Sequence, residues 1–309
     1  MSPEIRRAAE ILRAGGLVAF PTETVYGLGA DASSAEAVAR LYRVKGRPSD
    51  HPVIVHFASP QEAFKWGTEI SQEATNLAEK FWPGPLTLIL KRSEKAKDFV
   101  TGGQPSVGIR VPSHPVAQEL LRAFGGGVAA PSANRFGRVS PTTAAHVRED
   151  LGADVDLVLD GGPAEVGIES TIVDLSGGTA VLLRPGGIPR RALEEVVRLD
   201  EKSGSSPRHS GGLERHYSPR TPARLVPTHE LDREIARLKA RAAVLAFSRP
   251  DERVDYWLRM PRDAGAYATK LYAALRELDG AGCEAILVEA PPQGSEWDAV
   301  RDRLKRACA

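Results

Sequence analysis

The sequence predicts an α/β protein with a mixed β-sheet, followed by a second and smaller α/β domain. Short apolar runs of strand length alternate along the chain with segments of helical periodicity. Some consecutive runs, such as those on either side of residues 176–180, are joined by links too short to hold a helix. A mixed sheet is therefore expected instead of a purely parallel one.

The first domain begins with a helix and a buried strand. Apolar residues repeat with helical spacing over 3–14, and glycines end this pattern before the apolar run at 17–20. Ser33 and Glu36 fit a capping box that opens a second helix, which runs through about residue 44. Further strand-like runs cover 53–57, 86–90, 107–111, 128–130, 157–159, 171–175 and 181–183, and helical patterns lie near 71–81, 115–124, 141–150 and 189–198.

A change in composition divides the chain near residue 200. Residues 200–222 are rich in serine, glycine and proline, which is typical of a linker. A linker that only separates two domains does not need the aromatic and basic side chains of Arg215-His216-Tyr217. We therefore expect this linker to fold over another part of the protein. We predict a first domain over 1–200, a linker over 201–223 and a small α/β domain over 224–309.

The small domain is predicted from the same alternation of patterns. Strand-like runs at 243–247 and 285–288 alternate with helical patterns near 229–241, 263–279 and 296–306.

Composition excludes several classes of protein. Hydrophobic residues make up 42% and charged residues 26% of the 309 residues, and the formal net charge of +1 argues against a protein that binds a polyanion with its whole surface. Cys283 and Cys308 have no metal-type spacing, so neither a disulfide framework nor a thiolate zinc site is predicted. No apolar run approaches membrane-spanning length, and the N-terminus lacks the pattern of a secretory signal, so we expect a cytoplasmic protein.

Two short polar motifs suggest a site for a phosphate-bearing ligand. Lys45-Gly46-Arg47 places two cations one residue apart on a glycine-softened turn, where both can point the same way. Far downstream, Ser132-Ala133-Asn134 follows a short apolar run. Taken alone, the cations would more often be a solvated helix end.

Charged and polar side chains also lie within or at the ends of predicted strands. His56 and Arg110 lie in apolar strand patterns, and Arg184 ends a third strand. His56 taken alone is more simply a neutral core histidine, but arginine is seldom buried unpaired and its planar fork suits a carboxylate. Such side chains on one sheet favour ligand binding.

Common nucleotide and metal motifs do not account for these residues. Residues 21–29 leave the first strand as a polar loop that ends in glycines, and they only loosely match a dinucleotide fingerprint, since six residues separate strand and glycine. The sequence has no P-loop, no H-E-x-x-H motif and no nucleophile elbow around Ser132. Any nucleoside triphosphate must therefore be bound without a P-loop.

Seven motifs in order resemble the YrdC-like family, in its long two-domain form. They are residues 21–28 (PTETVYGL), 45–48 (KGRP), 52–56 (PVIVH), 82–87 (WPGPLT), 110–112 (RVP), 130–134 (APSAN) and 169–171 (EST). The resemblance is dense over about residues 5–200, continues through 215–219 and is weaker across the last domain. It implies a twisted α/β sheet with a concave, positively lined cavity, a linker that closes over that cavity, and a small Rossmann-like C-terminal domain.

The resemblance implies an ATP-dependent nucleotidyltransferase. The implied reaction makes threonylcarbamoyl-AMP and pyrophosphate from L-threonine, bicarbonate or CO2, and ATP, with Mg2+ as the implied cofactor of ATP. The product is the donor for the N6-threonylcarbamoyl group at adenosine 37 of tRNA, a transfer completed by a downstream threonylcarbamoyl transferase complex, and direct contact of this chain with tRNA is left open.

Residue roles follow from the resemblance by motif. The implied L-threonine pocket consists of Thr24, His56, Arg110, Ala130 and Ser170. The implied ATP site consists of Arg47, His51, Ser106, Ser132, Asn134, Ser140, Arg184 and Tyr217, and Lys45 and Arg47 are the implied catalytic residues. No protein metal ligand is implied.

Two other functions compete with this one. Related domains with a concave basic surface bind double-stranded RNA or tRNA, which would make the chain an RNA-maturation protein, and such binding falls steeply with salt. Hydrogenase maturation enzymes that use carbamoyl phosphate also contain a YrdC-like domain, but they add modules for which this chain has neither the length nor the cysteines.

Overall fold

The computed structural model describes residues 1–201, 206–238 and 241–309 and divides them into two compact units. Residues 202–205 of the predicted linker and residues 239 and 240 of the helix predicted at 229–241 lie outside the described residues. Unit 1 comprises residues 1–136, 141–165 and 169–212, and unit 2 comprises residues 137–140, 166–168 and 213–309. The domain boundaries predicted at 200 and 223 stay a prediction.

Unit 1 is built on a ten-stranded mixed sheet. Its strands in spatial order are β10, β9, β8, β4, β5, β3, β6, β2, β1 and β7, and they include parallel pairs such as β3 with β5 and antiparallel pairs such as β4 with β5. The bounds are β1 Val18–Phe20, β2 Gly27–Asp31, β3 Ile54–His56, β4 Leu86–Lys91, β5 Ser106–Arg110, β6 Val128–Ala129, β7 Leu157–Val158, β8 Thr171–Asp174, β9 Ala180–Arg184 and β10 Leu199–Asp200.

Helices flank this sheet and bury their apolar sides. Their bounds are α1 Pro3–Arg13, α2 Ala35–Lys45, α3 Pro60–Phe64, α4 Gln72–Phe81, α5 Asp98–Thr101, α6 Pro115–Phe124, α7 Ala144–Leu151 and α8 Arg190–Glu194. Leu12 of α1 and Leu121 of α6 share a core cluster with Phe20 of β1, whereas Leu77 of α4 packs in another cluster with Leu88 of β4. The sheet therefore forms the middle layer of the unit, and its strand ends carry the polar residues described below.

Unit 2 has a parallel four-stranded sheet in the order β11, β14, β12, β13. The strands are β11 Ala223–Val226, β12 Ala242–Ala246, β13 Tyr256–Arg259 and β14 Ala285–Glu289, and the helices are α9 Leu231–Arg237, α10 Ala264–Asp279 and α11 Asp298–Ala307. Val244 and Leu287 are fully buried in its core. A mixed sheet followed by a small parallel one confirms the predicted fold class.

Most predicted elements are present, and the main error lies in the first polar motif. Residues 27–29 were predicted to end a loop, but Gly27–Asp31 forms β2. Packing explains why a strand carries glycine there, because a Cβ at Gly29 would lie 2.9 Å from both Phe20 and Val128 side-chain atoms. Short elements without a strong period were missed, namely α3, α5, β10, β11 and β13.

Two helix ends also differ from the prediction. The N-cap of α2 is Ser34, whose Oγ accepts a hydrogen bond from Ala37 N at 3.2 Å, whereas Ser33 binds the Asp31 carboxylate. The helix predicted over 189–198 is only α8, Arg190–Glu194.

In the part of the chain that the structure describes, no helix is long and apolar enough to cross a membrane.

Candidate active site

The register of three neighbouring strands brings polar side chains to one level of the sheet. His56, the last residue of β3, lies opposite Arg110, the last residue of β5, and Arg110 in turn lies opposite Thr87 of β4. Residues opposite each other in a sheet project to the same face. We call Glu23, Thr24, His56, Thr87, Arg110 and Ser170 the sheet cluster.

Arg110 is paired with a residue that the sequence analysis left without a role. Its Nη2 donates to Glu23 Oε1 at 2.6 Å, and both side chains are about 5% exposed or less. The second carboxylate oxygen of Glu23 accepts from the backbone N–H of Ser113 at 3.0 Å. Arg110 is therefore held at one end, in agreement with the rule that buried charges are paired.

Two polar atoms of the sheet cluster are buried and have no hydrogen-bond partner among the residues that the structure describes. They are Nε of Arg110 and Nδ1 of His56. Burial, and after it the positive charge of Arg110, lowers the pKa of His56 to about 3, so the imidazole is neutral at physiological pH. A neutral ring and an unused guanidinium N–H are suited to a small polar ligand, because such atoms are costly to leave unpaired.

Thr24 is fixed by a tight turn between β1 and β2. The Thr22 hydroxyl lies 2.8 Å from the Thr24 hydroxyl and donates to the Val25 carbonyl at 2.6 Å. Ala130, just after β6, donates its N–H to the Ile54 carbonyl at 3.0 Å. Both predicted pocket residues are thus buried in segments that follow strands of this sheet, Thr24 after β1 and Ala130 after β6.

Ser170 connects the sheet cluster to a third strand-terminal cation. Its hydroxyl lies 2.8 Å from that of Thr87. Arg184 donates through Nη2 to this hydroxyl and through Nε to the Ser170 carbonyl, both at 3.0 Å. The planar fork of Arg184 thereby fixes Ser170. Thr87 was not among the residues predicted from the sequence, and the structure adds it to the site.

Lys45 and Arg47 follow from the way α2 ends. Gly46 adopts a left-handed conformation with φ of 65°, and the N–H groups of Gly46 and Arg47 bond to the Arg43 and Tyr42 carbonyls. This is the Schellman arrangement, in which glycine carries no steric cost. Both cations are buried in unit 1, whereas the glycine-softened turn predicted only that they can point the same way.

The Lys45 ammonium joins the two polar motifs. Nζ donates to the Asn134 carbonyl at 2.6 Å and to the Ser132 carbonyl. Burial, followed by repulsion from Arg47, lowers the pKa of Lys45 well below its usual range. A polyanion bound nearby would favour the charged form of Lys45 again.

The loop with Ser132 and Asn134 is anchored on β2. Its Pro131 carbonyl accepts from Leu28 N and its Ala133 N–H donates to the Tyr26 carbonyl, both at 2.8 Å. The strand that was predicted as a loop is thus the support for this motif.

Arg47 is held by backbone oxygens and an aromatic ring. Nη2 lies 2.7 Å from the Pro52 carbonyl and Nε lies 3.3 Å from the His51 carbonyl. Its guanidinium carbon lies 5.5 Å from the centre of the Phe136 ring, which also meets the His51 ring edge to face. Partial burial, then the charge of Arg47, lowers the pKa of His51. We call Lys45, Arg47, Ser132, Asn134 and Arg184 the cation cluster.

Residues 208–210 lie over a narrow cleft next to this cluster. The Ser210 carbonyl accepts from Arg184 Nη1 at 2.8 Å, and the Ser210 hydroxyl lies 3.5 Å from Arg47 Nη2. Gln104 binds the backbone of Arg208 at both its amide atoms, at 3.0 and 2.6 Å. The cleft, which Ser106 helps to line, has a volume of about 20 Å3, enough for a water molecule but not for a nucleotide.

Two predicted ATP-site residues, Ser140 and Tyr217, belong to unit 2. Both are buried, and Tyr217 adopts a positive φ of 61°. Its ring lies 5.7 Å from that of Tyr272 and 5.3 Å from the Arg303 guanidinium carbon. Their predicted contact with ATP stays a prediction.

Sequence reasoning missed several residues that complete the two clusters. Glu23 stands inside the quoted 21–28 motif and Thr87 inside the 82–87 motif, so both could have been found by asking which acid pairs with Arg110 and which hydroxyl faces it. Phe136, Gln104 and Ser210 gave no such signal, because their positions depend on loops that approach from distant parts of the chain.

The fold and these clusters define a YrdC-like α/β domain with a buried, cation-rich site on its sheet. Comparison with known proteins agrees. The family model for Sua5, YciO and YrdC, described as "Telomere recombination", matches residues 10–186, and the model described as "Threonylcarbamoyl-AMP synthase, C-terminal domain" matches residues 188–309.

Similar proteins cover nearly the whole chain. The threonylcarbamoyl-AMP synthase of Pyrococcus abyssi (strain GE5 / Orsay) is 39% identical over 321 residues, which cover 98% of this chain and 94% of the relative. That of Bacillus subtilis (strain 168) is 38% identical, with 99% and 93% covered. The crystal structure of P. abyssi Sua5 complexed with L-threonine matches with a TM-score of 0.92 and 38% identity, covering 98% of this chain and 94% of that one. The chain therefore belongs to the threonylcarbamoyl-AMP synthase family, and the predicted resemblance is confirmed.

Proposed function

We propose that this chain makes threonylcarbamoyl-AMP and pyrophosphate from L-threonine, bicarbonate or CO2, and ATP, and relatives that are named threonylcarbamoyl-AMP synthase support the proposal. The observation that carries the proposal is the link between the two clusters through Ser170. That residue bonds to Thr87 beside Arg110 and to Arg184 of the cation cluster. A pocket suited to an amino acid and a site suited to a polyphosphate are thus connected through one hydrogen-bonded residue.

The sheet cluster is the proposed L-threonine pocket. Arg110 Nε, which has no partner in the residues that the structure describes, is a charged donor for the carboxylate, and neutral His56 offers Nδ1 to a polar group of the amino acid. Thr24, Ala130 and Ser170 complete the proposed pocket. A relative of this chain has been solved in complex with L-threonine, which supports this assignment.

The cation cluster is the proposed ATP site. Lys45, Arg47 and Arg184 now donate to neutral carbonyl oxygens, and phosphate oxygens would be stronger acceptors for the same donors. Arg47, Ser132, Asn134 and Arg184 are the proposed contacts of this cluster, and His51, Ser106, Ser140 and Tyr217 are proposed to complete the ATP site.

The chemistry needs positioning and charge stabilisation more than covalent catalysis. The threonine amine attacks CO2 and loses a proton, which gives a carbamate. A carbamate oxygen then attacks the α-phosphorus of ATP, and pyrophosphate leaves with the electrons of the broken P–O bond. Lys45 and Arg47 are the proposed catalytic residues because they would stabilise the negative charge that develops on the transferring phosphate.

We propose that Mg2+ accompanies ATP and is held by phosphate oxygens and water, as this ion prefers. Among the residues that the structure describes, no group of three or more His, Cys, Asp or Glu side chains is arranged to hold a metal. The bound ion would offset phosphate charge, and the protein would hold the phosphates through Arg47 and Lys45.

We further propose the setting in which this enzyme acts. Its product would pass to a threonylcarbamoyl transferase complex that modifies adenosine 37 of tRNA in the cytoplasm. Within the chain, residues 1–200 would be the catalytic domain, residues 201–223 the linker that folds over the site, and residues 224–309 a small Rossmann-like domain.

Burial of the cations argues against duplex RNA as the ligand of this site. Lys45, Arg47 and Arg184 are 2%, 8% and 2% exposed, whereas a duplex can be bound only by side chains that reach its phosphates from outside.

The decisive experiment measures pyrophosphate release by the full chain. Release should require L-threonine and bicarbonate together, and mass spectrometry should detect threonylcarbamoyl-AMP. Equal release without threonine would refute the proposed function, and a steep loss of RNA binding with salt would instead favour the alternative.

A further inference from the structure

The Glu23 side chain makes hydrogen bonds that its own turn does not need. Its carboxylate uses one oxygen for Arg110 and the other for the Ser113 N–H, at 2.6 and 3.0 Å. Its neighbours Thr22 and Thr24 bind each other and the turn itself, so the turn has its own hydrogen bonds without Glu23. The carboxylate therefore serves Arg110 and the start of the segment that follows β5.

Stability alone does not explain a pair buried in this way. Apolar residues of similar volume often replace a buried ion pair without loss, because two charges must be desolvated to form it. A pair that existed only for stability would also satisfy the guanidinium fully, yet Arg110 Nε is buried and has no hydrogen-bond partner in the described part of the chain. The arrangement fixes Arg110 and leaves one of its charged donors for something else.

We propose that Glu23 is a positioning residue for L-threonine, acting through Arg110. The Ser113 amide anchors the carboxylate, and the carboxylate holds Nη2 of Arg110, so that the side chain does not have to be ordered when the amino acid binds. Nε–H then donates a hydrogen bond to the threonine carboxylate, at the level of the sheet where His56 Nδ1 likewise has no partner among the described residues. This inference rests on the proposed function.

The sign of the effect distinguishes positioning from competition. Glu23 and the threonine carboxylate are both anions, so Glu23 could in principle weaken threonine binding by occupying Arg110. If Glu23 positions Arg110, its removal leaves a buried guanidinium that turns to other acceptors, and threonine binds more weakly. If it competes, its removal frees the positive charge, and threonine binds more tightly.

The test compares Glu23→Gln and Glu23→Asp with a matched control. Glu23→Gln keeps the shape but loses the charge, and it places an amide NH2 against either Arg110 or the Ser113 N–H. Glu23→Asp keeps the charge with a shorter reach. The control is Asp156→Asn, because the Asp156 carboxylate also binds a guanidinium, that of Arg40, and a backbone N–H, that of Leu17. Asp156 immediately precedes β7, which lies five strands from β5 in the sheet.

Steady-state kinetics of pyrophosphate release give the expected split. In Glu23→Gln the KM for threonine should rise about 10- to 100-fold, the range for a lost hydrogen bond to a charged group, while kcat and the KM for ATP change less than about threefold. Glu23→Asp should recover part of the threonine affinity, and Asp156→Asn should leave all three constants unchanged. Calorimetric titration of threonine without ATP should follow the same order.

Several results would overturn the inference. One is an unchanged KM for threonine in Glu23→Gln, and another is tighter threonine binding in that variant. A third is a fall in kcat together with a rise in both KM values, which would indicate a purely structural role. Should Glu23→Gln fail to fold, Glu23→Asp carries the same comparison. The proposed function fails separately, when the unsubstituted chain releases no pyrophosphate in response to threonine.

Discussion

The sheet cluster and the cation cluster lie on the same unit but meet their hydrogen-bonding needs in opposite ways. In the sheet cluster, Arg110 Nε and His56 Nδ1 are buried, and no described residue forms a hydrogen bond with them. In the cation cluster, the donors of Lys45 and Arg47 are used by main-chain carbonyls. One cluster has polar atoms waiting for a ligand, and the other must exchange partners to bind one.

Their supports account for the difference. His56 and Arg110 stand at strand ends, where the register with neighbouring strands fixes them. Lys45 and Arg47 stand at a helix end, and the oxygens around them come from loops. We infer that the sheet cluster is preformed for a small ligand, whereas the cation cluster exchanges neutral carbonyl acceptors for charged phosphate oxygens when ATP binds.

The largest effect is expected from Arg110, because its loss breaks the sheet cluster in two respects. Arg110→Met removes the proposed partner of the threonine carboxylate, and it leaves Glu23 buried without its cation. Pyrophosphate release should therefore fall about 10³-fold or more. The free energy of unfolding should fall by about 3–5 kcal/mol. Urea denaturation of the double variant Glu23→Gln/Arg110→Met should show most of that stability regained with activity still absent. Normal threonine affinity in Arg110→Met would contradict the preformed pocket.

Arg47 should separate the two clusters. Arg47→Ala is expected to lower the rate of synthesis about 10²- to 10³-fold, the usual cost of losing a donor that stabilises transition-state charge. Threonine binding without ATP, measured by calorimetry, should stay as it was. Arg43→Ala, one turn earlier on α2 and exposed, is the control and should have no effect. Unchanged synthesis in Arg47→Ala would refute its phosphate role.

Sequence patterns were sufficient to predict local structure where periodicity or a turn signal was strong. The glycine after Lys45 predicted the turn at the end of α2, and the apolar pattern around His56 and Arg110 predicted their strands. The family and the mixed fold class were predicted as well. These features depend on local sequence, which is why they could be predicted.

The remaining features depend on partners distant in sequence. Gly27 and Leu28 read as loop because the tight packing of Gly29 against Phe20 and Val128 is not visible in sequence. The pairing of Glu23 with Arg110 spans 87 residues, and that of Ser210 with Arg184 depends on the path of the linker. The predicted roles of individual site residues, Ser140 and Tyr217 among them, stay predictions.

Acid should lower the free energy of unfolding, because His56 stays neutral in the sheet cluster. Its pKa is about 3 in the folded protein, against about 6.5 in an unfolded chain. Between these values the unfolded chain binds a proton that the folded protein does not, so the free energy of unfolding falls as the pH falls. From pH 7.5 to pH 5 this loss should be about 2 kcal/mol. Urea denaturation should show the loss in the unsubstituted chain and not in His56→Gln, once the pH dependence common to both is subtracted. An equal slope in both would show that His56 protonates freely.

The smallest effect is expected at the segment that covers the cation cluster. Gln104→Ala removes both hydrogen bonds to the Arg208 backbone, at 3.0 and 2.6 Å, while Arg208 keeps its bond to the Gly102 carbonyl. Because the cleft beside the cation cluster holds little more than a water molecule, we expect residues 208–210 to move when a nucleotide binds. A weaker hold on the closed segment raises the population that can bind, so the KM for ATP should fall about 3- to 10-fold with the KM for threonine unchanged. Gln72→Ala, which removes only a bond to Asn76 on α4, is the control. A higher KM for ATP in Gln104→Ala would mean that the segment contributes contacts to the nucleotide, and the cation cluster would then be a preformed site like its neighbour.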